Sequence, residues 1–124
     1  MTPEEIVQRL ETLLKDQLGV VVGPGTDGGS AAALHLNDPP STWKTSGLEV
    51  IVYSHPEYSL QATHQGGSLG RETLVRFVQH TGGTDTMSEA VERVVSAFNT
   101  SSPLAVPANE QLGILAGITL LIRS

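Results

Sequence analysis

The chain has 124 residues, with 7 Lys+Arg against 13 Asp+Glu, a formal charge of −6 and no Cys. This length points to one domain spanning residues 1–124, and 34 Leu, Ile, Val and Phe residues supply the apolar side chains for a core. The absence of Cys excludes disulfides, thiolate catalysis, Fe–S clusters and Cys-based zinc sites. The acidic balance argues against a duplex reader, which needs a basic stripe to neutralise phosphates.

In chain order, Thr2-Pro3-Glu4-Glu5 reads as a helix start. Thr2 caps, Pro3 takes the first helical position and Glu5 closes a capping box. Ile6, Leu10, Leu13, Leu14 and Leu18 then share one face at helical spacing, which predicts a helix over Pro3–Leu18 ended by Gly19. The same acidic start lacks the basic region of a signal or transit peptide, and none is expected. Val20–Val22 is a short β-branched run, Gly23–Ser30 a turn-forming loop, and Ala31–Leu36 a strand broken by Asp38-Pro39-Pro40. Leu48–Tyr53 is β by composition.

Ser54–Gly70 is a long connection rich in Gly, Ser, Gln and His, and loops of this length tend to carry function. Glu72–His80 follows as a strand with Val75 and Phe77 inward. After a turn at Thr81–Asp85, Thr86 and Glu89 spell a second capping box. It opens a helix whose stripe is Met87, Val91, Val94, Val95 and Phe98. Ile118, Leu120 and Ile122 alternate with Thr119, Leu121 and Arg123 in a final strand, while Gly113 and Gly117 mark bulges or close backbone approach. The longest apolar stretch, Leu112–Ile122, falls short of the roughly 18 residues of a membrane helix. The order α-β-β-β-β-α-β does not alternate strictly. It predicts an α+β fold, a mainly antiparallel sheet with two helices packed on one face.

The motifs that suggest chemistry do not hold up in context. Gly23-x-Gly25-x-x-Gly28 matches a dinucleotide fingerprint, with Val20–Val22 before it and Glu49 at the acidic position. However, no helix fits before Asp38-Pro39-Pro40, and Pro24 removes an N–H from the cradle. Gly66-Gly67-Ser68-Leu69-Gly70 matches a nucleophile elbow, but a strand follows where a helix is needed. Of the four histidines, His35, His55, His64 and His80, the pair His55 and His64 shares a loop with Glu57, and nothing fixes a metal geometry there. No enzymatic activity, catalytic residue, cofactor or metal is expected.

Taken as a whole, the chain resembles the tail terminator (tail completion) proteins of long-tailed bacteriophages. The resemblance is carried by the opening helix and short strand, by Leu74-Val75-Arg76-Phe77-Val78-Gln79-His80 with its turn and helix Met87–Phe98, and by Pro107-Ala108-Asn109-Glu110 leading to the last strand. It implies a virion structural protein assembled in the host cytoplasm. Six copies would form a ring that caps the tail tube protein, stops its polymerisation and docks on the head-side neck connector. DNA would pass through the lumen without specific binding, and no membrane is involved. In this reading the loop 54–70 is an arm for partner contact through His55, Glu57, Tyr58, Gln61, His64, Gln65 and Arg71, and Arg76 and Arg93 are intersubunit residues. Other small neck, connector or tube proteins share the plan, and a small ligand-binding module is the remaining alternative.

Overall fold

The computed structural model describes residues 2–23, 29–40, 42–54, 59–61, 71–83, 85–106, 108, 111 and 113–123. Helix α1 spans Pro3–Leu13. Its capping box forms as the sequence predicts: Glu5 N donates to Thr2 Oγ1 and Thr2 N donates to Glu5 Oε1, both at 3.2 Å. Ile6, Leu10 and Leu14 recur every four residues and are fully buried.

The helix stops five residues short of Leu18. Arg93 explains the end: its Nη1 donates to the Leu13 carbonyl at 3.2 Å and to Asp16 Oδ1 at 2.7 Å. A cation on the last carbonyls complements the helix dipole. Residues 14–17 form a turn, with Gln17 N bonded to Leu14 O.

The chain then enters a fork. Strand β1 (Val20–Val22) lies between β2 (Ser30–Ala32) and β4 (Lys44–Ser46), antiparallel to both. Each outer strand continues past a one-residue bend, β2 into β3 (Leu34–Leu36) at Ala33 and β4 into β5 (Leu48–Val52) at Gly47. β3 and β5 are directly paired and parallel, with Leu34 opposite Val50. Two parallel strands therefore pair along one half and splay along the other, where β1 is inserted. Gly19 sits at the crotch: its N–H donates to Leu48 O at 2.7 Å and its C=O accepts from Ala33 N at 3.1 Å. A Cβ at Gly19 would lie 2.1 Å from Ser46 O, so only glycine fits.

The main sheet runs β3-β5-β7-β10-β8, where β7 is Arg71–His80, β8 is Asn99–Thr100 and β10 is Ile114–Arg123. Strand β6 (Ser59–Gln61) adds to β7, and β9 (Leu104–Val106) adds to β10. All of these pairs except β3–β5 are antiparallel. Leu48, Val50, Val52, Val75, Phe77, Leu120 and Ile122 alternate onto one face. There they meet Ile6, Leu10 and Leu14 of the first helix and Met87, Ala90, Val91 and Val94 of α2 (Met87–Ala97). The fold is α+β with both helices on one face of a mainly antiparallel sheet, as the sequence predicts.

Some elements depart from expectation. The expected strand Ala31–Leu36 is split at Ala33 into β2 and β3, and β4, β6, β8 and β9, short strands of two or three residues, lie beyond the α-β-β-β-β-α-β order. Runs this short carry almost no periodicity. The second capping box does not form: the Thr86 hydroxyl donates to Gln17 O at 2.7 Å, and Glu89 turns to Arg93 at 3.3 Å. A tertiary bond to the turn after α1 replaces the local cap. The two glycines behave as expected. Gly113 has φ +71°, the β7–β10 register shifts between Ile114 and Ala116, and a Cβ on Gly117 would sit 3.0 Å from Val106 Cβ.

Candidate functional site

On the face away from the helices, three neighbouring strands bring together His35, Glu49 and His80. Alternation in β5 sends Leu48, Val50 and Val52 to the core and Glu49 to this face. The registers make the three residues diagonal neighbours. His35 lies opposite Ile51, two residues beyond Glu49, and His80 N donates to Gly47 O, two residues before it. Such diagonals are within reach of long side chains.

His80 Nε2 stands 3.0 Å from Glu49 Oε1, and His35 Nε2 stands 3.4 Å from Glu49 Oε2. The Thr45 hydroxyl donates to Oε2 at 3.4 Å. The side chains of His35 and Glu49 are each 9% exposed and that of His80 is 16% exposed. Burial pushes the Glu49 carboxyl up, but the hydrogen bonds and charge of His35 and His80 outweigh it and hold the pKa at about 2. Glu49 is therefore an ionised acceptor at neutral pH and has no proton to give. Among the described residues no group of three His, Cys, Asp or Glu is arranged to hold a metal ion.

A turn folds over this cluster. Asn37 takes φ +66°, in the left-handed region that Asn tolerates. It is pinned three ways: its N–H donates to Val52 O, its Nδ2 donates to Ser54 Oγ at 2.8 Å, and its Oδ1 accepts from Ser54 N at 2.9 Å. Tyr53 Oη donates to Asp38 Oδ1 at 2.6 Å; burial and that carboxylate push the phenol up to about 12. Trp43 N closes the turn on Pro40 O. The Trp43 ring lies 6.1 Å from the His35 ring at 49° and rests over Gly23, where a Cβ would lie 2.6 Å from Trp43 Cδ1. Between this turn and the sheet is a cavity of about 400 Å³ bounded by Pro39, Pro40, Trp43, Lys44, Thr45, Glu49 and His80.

The expected arm falls largely elsewhere. His55, Glu57, Tyr58, His64 and Gln65, with Gly66–Gly70, lie outside the described residues. Gln61 ends β6, opposite Arg71 at the start of β7. Arg76 sits on β7 opposite Ile51, where its charge partly offsets the upward push on the Tyr53 phenol. Arg93 is engaged within the chain by Asp16, Glu89 and the Leu13 carbonyl. A strand, β2, follows Gly23–Gly29 where a dinucleotide site needs a helix.

Sequence reasoning did not pair Glu49 with His35 and His80. The available signal was a glutamate inside the apolar run Leu-Glu-Val-Ile-Val, since a carboxylate buried in a strand needs partners. With the chain compared to protein-family models, curated proteins and solved structures, nothing matches.

Proposed function

We propose that this chain is a ring-forming structural subunit of the phage tail-terminator class, which caps a tail tube, stops its growth and joins it to the head-side connector. The observation that supports the reading is the pair of sheet edges. A closed ring needs two different surfaces on each subunit, because its interface is heterologous. The main sheet ends in β3 on one side and in β8 and β9 on the other. Val50 N bonds Ala33 O and Asn37 N bonds Val52 O, so odd-numbered residues face β5 and the Leu34 and Leu36 backbones point away from it, to an edge on which no strand pairs among the described residues. Leu36 is 38% exposed there; at the opposite edge Leu104 is 66% exposed and Leu115, in the bulged end of β10, is 51% exposed. Open edges carrying exposed aliphatic side chains favour strand addition by another chain.

Light scattering coupled to gel filtration, with negative-stain imaging, tests the reading on the purified chain alone and mixed with tube protein. A ring is expected in one of the two samples, and Leu104→Glu should abolish it without changing the far-ultraviolet circular dichroism. In a phage carrying this gene, deletion should leave irregular, headless tails. Normal virions from the deletion, or a monomer in both samples, overturns the proposal.

A further inference from the structure

Glu49 offers a partly used charge to the cavity beside it. An ionised carboxylate has about four acceptor sites. Oε2 takes two long contacts, from His35 and Thr45 at 3.4 Å each, and Oε1 takes one, from His80 at 3.0 Å. Among the described residues no other donor is found on Oε1, and Glu49 forms part of the cavity wall. Among the described residues, no lysine or arginine pairs with this carboxylate. The remaining walls are Trp43, Pro39 and Pro40, together with Thr45, His80 and Lys44. A volume of about 400 Å³ lies within the range of small-ligand pockets.

We propose that this cavity binds an alkyl cation with N–H donors, an ammonium or guanidinium, its charge on Glu49 Oε1 and its stem between Trp43 and the prolines. Each wall has a role. The carboxylate accepts a charge-assisted hydrogen bond, the indole face attracts a cation, and the proline rings cover methylenes. Glu49 is the one carboxylate among the described lining residues and is buried within; Lys44, exposed at the rim, and the His80 ring already on Oε1 are the ligand's competitors for it. The cation has two possible sources, a free amine or the Lys or Arg side chain of a partner protein, and the two share this chemistry. The inference does not depend on ring formation.

Trp43 is the chain's single tryptophan, so its emission and its indole N–H resonance report on the cavity alone. The full chain is titrated with n-butylammonium, ethylguanidinium, acetate and phosphate, and with blocked Gly-Lys-Gly and Gly-Arg-Gly peptides. A saturable change with the cations is expected, weakened about tenfold or more by Glu49→Gln and strengthened about twofold by Lys44→Gln. Peptides that bind about tenfold tighter than the free cations identify a partner's side chain as the ligand; equal affinity identifies a free amine. Three results overturn the proposal: no saturation by any cation below about 100 mM, anions binding more tightly than cations, or Lys44→Gln weakening the cation. If Glu49→Gln does not fold, the sign of the Lys44→Gln effect decides alone.

Discussion

Replacing Gly19 by alanine tests the fork directly. The added Cβ would stand 2.1 Å from Ser46 O, 2.7 Å from Leu48 N and 2.8 Å from Gly47 C. All three are backbone atoms, so no side chain can swing away. Ordinary contact begins at 3.4 Å, and the backbone must open by more than an ångström at its tightest point. That opening stretches the bonds Gly19 N–Leu48 O and Ala33 N–Gly19 O, which hold β1 between its neighbours. Overpacking costs about 1–3 kcal/mol, and two weakened backbone bonds add about 1 kcal/mol each. Gly19→Ala should therefore lose about 3–5 kcal/mol out of a total of about 5–15, a fall in Tm of roughly 10–20 °C for a chain this size. Urea and thermal unfolding followed by circular dichroism measure it, with Gly82→Ala as a milder control. At Gly82 the nearest contact is a side-chain carbon, Ser46 Cβ at 3.3 Å, and the cost comes mainly from φ +91°. A Gly19→Ala loss below about 1 kcal/mol, or one no larger than the control's, refutes the close approach at the fork.

Four further outcomes follow from the geometry. Glu49 titrates at about 2 in the fold against an ordinary 4.5, so its stabilisation is present above 4.5 and is lost as pH falls through 2. The stability gap between the native chain and Glu49→Gln should be about 2 kcal/mol near neutrality, after allowance for solvent screening, and should close between pH 4.5 and 2 in urea titrations. Phe77→Ala empties the largest fully buried side chain and should cost about 3–5 kcal/mol by the same measurement. Thr2→Ala removes the hydroxyl that accepts from Glu5 N, leaves the backbone bond from residue 2 N to Glu5 Oε1, and should cost about 1 kcal/mol, while Ser88→Ala, outside any cap bond, should cost less. Arg93→Ala breaks ion pairs to exposed Asp16 and Glu89, so its effect on unfolding should be small and diminished by salt. If the variant folds yet cannot assemble, Arg93 also serves a neighbouring subunit.

The fold was legible wherever the determinants are local. Thr2 and Glu5, the four-residue spacing of Ile6 and Leu10, and the alternation around Val75 and Phe77 all specify their neighbours within a few residues, and the structure agrees. The end of α1 was not legible, because the residue that takes its last carbonyl, Arg93, lies 80 positions away from Leu13. Thr86 shows the same limit in reverse. A satisfactory local capping pattern loses to a 2.7 Å bond with Gln17 O, across 69 positions. The site was the least legible part. Glu49 and His80 are 31 residues apart, and only the strand registers make them neighbours.

The two proposals occupy different parts of one sheet, which gives them separable consequences. Leu104 lies on β9, beyond β10 and β7 as seen from Glu49 on β5. At about 4.8 Å per strand the separation is roughly 14 Å, beyond the range in which substitutions usually couple. The helix-covered face is filled by the core, the edges carry no further strand among the described residues, and the cavity over Glu49 opens on the remaining face. If ring closure uses the edges, Leu104→Glu should abolish assembly and leave the cation-dependent emission of Trp43 intact, whereas Glu49→Gln should do the opposite. A double variant should show both losses in the sizes measured singly. If Glu49→Gln also prevents assembly, the cation it receives comes from the neighbouring subunit and the cavity is part of the ring interface; the Gly-Lys-Gly or Gly-Arg-Gly peptide should then compete with ring formation.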